Sequence, residues 1–146
     1  IRLSLVGSEM CIRDRGEGLK PTHMALGLDL TKRSIQDMLK EKSLPWAEAK
    51  AFTGAAVLGK WVTFDERANF QLQVNGKTVQ IGFLDKMSWS VDELISKLAD
   101  WAPIGRGDIL FTGTPSGVGP LNAGDEVTAL LYVDGEVVST HFATCV

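Results

Sequence analysis

Four side chains close together in the chain have the types needed to work on an anionic, oxygen-rich substrate: Asp29, Arg33, Gln36 and Lys50. Asp29 ends an apolar run, "HMALGLDLT", where a carboxylate is costly to bury unless it is paired or bound to a cation. It also stands just before a helical pattern, where a carboxylate can cap the helix. Arg33 and Gln36 are three apart and share one helix face. Lys50 lies between Trp46 and Phe52 in "WAEAKAF". A lysine among aromatics can be desolvated for proton transfer or for holding an enolate, or it can lay its stem on the surface and keep its charge in water.

Further along, "TGTPSGVG" (112–119) places three glycines, a proline and three hydroxyls between an apolar run and a polar turn. No lysine follows the glycines and no helix pattern opens after them, so this is not the nucleotide-phosphate loop G-x-x-x-x-G-K-[ST]. It is either a tight structural turn or a wall where backbone closely approaches a ligand. His23 and His141 sit in strand-like apolar contexts and read as structural.

The elements that must position these residues are short. A buried strand is expected over 23–31, an amphipathic helix over 32–42, a second short helix over 43–52 and a strand over 57–64. Residues 70–83 alternate on both sides of Asn75-Gly76, which predicts a hairpin with a tight primed turn. In its second arm Val79, Ile81 and Phe83 are expected on one apolar face. "SVDELISKLADW" (90–101) has a capping-box start at Ser90 and Glu93, with Leu94, Ile95, Leu98 and Trp101 as an apolar stripe. A strand over 107–114 leads into the glycine loop, and a last hairpin over 125–142 turns at Asp134-Gly135. The sum is a strand-rich α+β domain with short helices.

The bulk numbers agree. The chain has 146 residues, 45% hydrophobic and 23% charged, with a formal net charge of -3. It is long enough for one domain with a core. It lacks the basic excess of a nucleic-acid binder and any apolar run of membrane-spanning length. Its two cysteines lie near opposite ends with no metal-ligand spacing, which suits a reducing cytoplasm. Residues 1–15 carry no continuing period, and "SLVGSEMCIRDR" resembles a translated sequencing-adaptor peptide. They are expected to be non-native, with residues 16–146 forming a partial catalytic domain.

In order along the chain, "GLDLTKRSIQ", "LPWAEAKAF", "VNGKTVQIG", Met87 and "GDILFTGTPSGVGPLNAGDEV" resemble the C-terminal domain of the fumarylacetoacetate hydrolase family, over about residues 21–142. The branch they resemble is that of small acylpyruvate hydrolases and oxaloacetate decarboxylases. The resemblance implies a mixed β-sheet roll, here incomplete at its N-terminus, and a homodimer. It implies a Mg²⁺ or Mn²⁺ site with Asp29 as one ligand, and a small 2-oxo acid substrate cleaved at a C–C bond through an enolate. By the same resemblance Arg33 and Gln36 contact the substrate, Lys50 stabilises the enolate, and Gly113 and Thr114 hold the substrate carboxylate.

The chain also departs from the pattern. The family's Glu-x-Glu ligand pair has no counterpart at "GEGLK" (16–20), and its upstream His and Glu have none either. Thr53, Val57 and "FLDK" before Met87 differ from the common residues. Two further readings follow: a truncated, non-catalytic or assembly domain with an incomplete metal site, or a decarboxylase or isomerase of the same family.

Overall fold

The structure, a computed structural model, describes residues 9–12, 19–105 and 107–146. Among the described residues ten strands and three α-helices form in this order: β1 (Glu9–Ile12), β2 (Pro21–Ala25), β3 (Gly27–Asp29), α1 (Arg33–Glu41), α2 (Ala47–Lys50), β4 (Ala56–Leu58), β5 (Val62–Thr63), β6 (Asn69–Val74), β7 (Lys77–Phe83), α3 (Val91–Ala99), β8 (Ile109–Phe111), β9 (Glu126–Val133) and β10 (Glu136–Thr144). One four-stranded sheet has the order β5-β2-β1-β8, a second β10-β9-β6-β7, and β3 pairs with β4 alone. The α+β class stands.

The second sheet is built from two hairpins. Asn75 (φ 51°) with Gly76 (φ 74°), and Asp134 (φ 52°) with Gly135 (φ 83°), supply the two positive-φ residues that a type I′ turn demands. Across β6 and β9 the pairs Phe70–Leu131, Leu72–Ala129 and Val74–Val127 face each other. Most of these side chains are fully buried, and with Met24, Leu26, Leu28, Ile95 and Leu121 they make the core. Antiparallel sheets commonly bury one face in this way.

The second arm of the first hairpin departs from the alternation expected of it. Val74 pairs with Lys77 and Gln73 with Thr78, but Leu72 pairs with Gln80 and Phe70 with Gly82. Val79 is thus an extra residue, a β-bulge, and it flips the facing of every position after it. Gln80 and Gly82 take the buried face, while Ile81 and Phe83 turn outward, 54% and 47% exposed. Gly82 fits because a Cβ there would lie 2.2 Å from the Phe70 ring.

Other boundaries also move. The run 23–31 is not one strand: it breaks at Leu26, and β2 and β3 enter different sheets. The run 57–64 divides into β4 and β5, and the second helix shortens to one turn starting after Pro45. α3 has the full capping box, with Ser90 Oγ accepting from the Glu93 backbone N–H and Glu93 accepting from Ser90. Its buried residues are Val91 and Ile95, whereas Trp101 lies past the helix end and is 78% exposed. Residues 1–15, expected to stand outside the domain, contribute β1, which pairs with both β2 and β8. Backbone N–H and C=O groups alone suffice for such pairing. Residues 1–8 and 13–15 lie outside the described residues.

Candidate active site

Asp29 is the last residue of β3, and α1 begins four residues later. The segment between them is pinned by backbone bonds, Leu30 N–H to Ala55 O (2.7 Å) and Lys32 N–H to Ala49 O (3.1 Å). These hold the strand end against α2, whose Ala49 is fully buried. Lys50, the last residue of α2, is thereby aimed back at β3. Its Nζ donates to both carboxylate oxygens of Asp29 and, at 2.9 Å, to the buried Thr31 Oγ1. The Lys50 and Asp29 side chains are 32% and 29% exposed, so the pair is half-buried and open on one side.

Asp29 does not cap α1. The capping position is Lys32, with no side-chain bond, and its ammonium sits 4.7 Å from the centre of the Phe52 ring. At the start of α1, Arg33 Nη1 donates to Gln36 Oε1 at 2.7 Å, and Gln36 is buried. The Arg33 guanidinium therefore spends this hydrogen bond on Gln36. The structure assembles two adjacent polar pairs, Asp29–Lys50 and Arg33–Gln36, joined by the strand-to-helix segment 30–32. Thr31 went unremarked in the sequence. Its signal was there, a hydroxyl two residues from the strand-end carboxylate on the same strand-like face.

The glycine loop follows β8. Gly113 (φ +107°) and Gly117 (φ +100°) both take conformations closed to most residues. A Cβ on Gly117 would lie 1.8 Å from the Val79 carbonyl oxygen, so the loop packs directly on the bulge of β7. Gln80 Nε2 donates weakly to the Pro115 carbonyl (3.4 Å). Gly113 and Thr114 form one side of a cavity of about 350 Å³, whose other walls come from β7, Met87, Trp89 and α3. Asp29, Arg33, Gln36 and Lys50 are not part of its lining.

A family model described as the fumarylacetoacetate (FAA) hydrolase C-terminal domain matches residues 23–144, most of the chain. The chain belongs to the fumarylacetoacetate hydrolase family. Its curated relatives in this family include the mitochondrial oxaloacetate tautomerase of Homo sapiens, 38% identical over 74% of this chain and 51% of that one. Another is a fumarylpyruvate hydrolase of Ralstonia sp, 36% identical over 70% and 56%. The chain thus spans about half the length of the curated relatives it matches. Among solved structures, the fumarylpyruvate hydrolase of Pseudomonas aeruginosa, in complex with Mn²⁺ and pyruvate, superposes with a TM-score of 0.85. The identity is 28%, covering 99% of this chain and 65% of that one. A yeast fumarylacetoacetate hydrolase family protein superposes with a TM-score of 0.90 at 24% identity, covering 98% and 67%, and shows the fold alone.

The Mn²⁺ in that relative raises the question of whether these residues can hold a divalent ion. Among the described residues no three His, Cys, Asp or Glu side chains converge on one point. Asp29 is the one carboxylate at the strand end, and both its oxygens accept from Lys50. Mg²⁺ is usually held by one or two carboxylates with substrate and water, and Ca²⁺-like sites need still more oxygens. The described residues therefore do not make a metal site by themselves. No helix among them is long and apolar enough to cross a membrane.

Proposed function

We propose that the protein to which this chain belongs cleaves a C–C bond in acylpyruvate-type 2-oxo acids through a pyruvate enolate, with Mg²⁺ or Mn²⁺ as its cofactor. The observation that carries this reading is the Lys50 ammonium held against Asp29 and Thr31 at the end of β3. Family membership supports it, as does the relative whose structure contains pyruvate.

In this reading water adds to the distal carbonyl, the C–C bond breaks, its electron pair is left on the pyruvate methylene as an enolate that takes up the proton given by the water, and the acyl half leaves as a carboxylic acid carrying the water's oxygen. Lys50 stands where that charge develops and stabilises it electrostatically. Arg33, oriented by Gln36, pairs with the substrate carboxylate as only a planar fork of donors can. Gly113 offers its backbone N–H and Thr114 its hydroxyl from the glycine loop. Asp29 fixes the position of the Lys50 ammonium and contributes one of the oxygens that a metal site requires, the rest coming from outside the described residues. An oxaloacetate decarboxylase forms the same pyruvate enolate by losing CO₂, and a 2-oxo acid isomerase forms the enolate of its intact substrate by moving a proton; both call on the same groups.

The second reading, a non-catalytic domain with an incomplete metal site, is favoured by the lack of a converging ligand set. One experiment separates the two. Acylpyruvate is incubated with this chain and Mn²⁺, and loss of the substrate enol absorbance is followed. Turnover that Asp29→Ala and Lys50→Met abolish supports the enzyme reading. No turnover, with Mn²⁺ bound only weakly in calorimetry, supports the second. The homodimer belongs to the same proposal and is tested by light scattering.

A further inference from the structure

We propose that the cavity between β7 and the glycine loop receives the acyl arm of the substrate, and that this arm is an uncharged hydrocarbon group, aromatic for preference. The proposal rests on the 2-oxo acid reading above. Three features show that the cavity is built rather than incidental. The bulge at Val79 turns Ile81 and Phe83 outward, so an edge strand presents large apolar side chains to the cavity instead of to the core. Gly82 lets the Phe70 ring close the floor. Trp89, half-exposed, has its ring 3.8 Å from Lys97 Nζ of α3, a cation–π contact that holds the indole as a wall.

The chemistry of the lining selects the arm. A volume of about 350 Å³ is at the small end of the ~300–1,000 Å³ usual for ligand sites. Among the described residues Lys86 is the one charged residue in the lining. Its side chain is 75% exposed and its ammonium lies 3.4 Å from Asp85, so its charge is answered in solvent rather than in the cavity. Half-exposed Phe83 and Trp89 leave apolar area in water that an apolar group would cover. Thr112, Gly113 and Thr114 close the opposite side, so the cavity shares a wall with the two loop residues assigned to the substrate, while Arg33 and Lys50 stand outside its lining.

The test uses 2-oxo acids that cannot be cleaved, titrated calorimetrically into the full chain with Mn²⁺ present: pyruvate, 2-oxo-4-phenylbutanoate and 2-oxoadipate. The phenyl acid is expected to bind about tenfold more tightly than the other two, equivalent to about 1.4 kcal/mol. Trp89→Ala and Phe83→Ala are each expected to cut that advantage below about threefold while leaving pyruvate binding unchanged. Three results overturn the proposal: equal affinities for the three acids, a preference for 2-oxoadipate that Lys86→Met removes, or a phenyl preference that survives both wall variants. The neutral ketone 4-phenylbutan-2-one locates a failure. If it binds at Trp89 and no acid binds, the 2-oxo acid reading is at fault and the proposal falls with it. If pyruvate binds and the phenyl arm adds nothing, the cavity assignment alone is wrong.

Discussion

Lys50 Nζ donates to both oxygens of Asp29, across 21 residues of sequence and from the end of one element to the end of another. Charge-assisted, two-point contacts of this kind fix position as well as charge. Replacing Lys50 with Met leaves a half-buried carboxylate with Thr31 nearby and no cation. After allowance for solvent screening, this is expected to cost about 1 kcal/mol in urea denaturation, alongside loss of any enolate-forming activity. Unchanged stability in Lys50→Met would mean the pair does not hold β3 to α2.

Gly117 is the tightest point between the glycine loop and the sheet. With φ at +100° and the Val79 carbonyl 1.8 Å from where a Cβ would be, Gly117→Ala must lift the loop or move the bulge. The expected cost is about 2 kcal/mol or more. Gly119→Ala, which meets nothing within 4 Å, is the control and should stay within about 0.5 kcal/mol of the wild type.

The start of α3 offers a cleaner measurement. Ser90→Ala removes the hydroxyl that accepts from the Glu93 N–H and leaves the Ser90 backbone N–H on the Glu93 carboxylate, and is expected to cost about 1 kcal/mol. Restoring the cap with Asp should recover most of it. If Ser90→Ala melts like the wild type, the helix is held by Val91 and Ile95 alone.

Acid should weaken the fold through three carboxylates at or near the surface. Arg67 beside Asp65 draws its pKa down to about 2. The Ser90 backbone N–H lowers that of Glu93, and the Asn122 backbone N–H that of Asp125. Each folded-state value is depressed, so each contributes stability that is present above the unfolded carboxylate range and is lost as pH falls through the folded value. Urea midpoints should be flat from neutrality to about pH 5 and decline below it, and Asp65→Asn should flatten the lowest part of that decline. A midpoint that rises on acidification would contradict this.

The strand at Glu9–Ile12 lies between β2 and β8. Deleting residues 1–12 bares two strand edges and disconnects the strand that leads into the glycine loop. The shortened chain is expected to lose its cooperative melt and to scatter light on warming. A sharp, unaltered transition would show that β1 is dispensable.

Much of this was legible in the sequence. Asn75-Gly76, Asp134-Gly135 and Ser90 with Glu93 each state a local geometry that few other residues satisfy, and all three form as read. Asp29 and Lys50 were legible as a carboxylate at a strand end and a lysine among aromatics, and the resemblance implied that they share one site. What the sequence concealed depends on counting. One extra residue, Val79, reverses the facing of Ile81 and Phe83, and alternation looks the same whether or not a bulge precedes it. The break at Leu26 was equally hidden, because an apolar run reads alike in one sheet or two. Arg33 shares a helix face with Gln36, but spacing does not say which of two nearby acceptors a guanidinium will choose.

The two sheets also differ in how far their chain must travel. β6–β7 and β9–β10 are joined by two-residue turns, whereas β1 meets β8 with Cys11 opposite Ile109. Closing so large a loop carries its entropic cost before any contact repays it. Refolding should accordingly run in sequence, with the hairpin sheet gaining amide-exchange protection first and the sheet that leads into the glycine loop last. The loop proposed to grip the substrate would then be among the final parts of the protein to take shape.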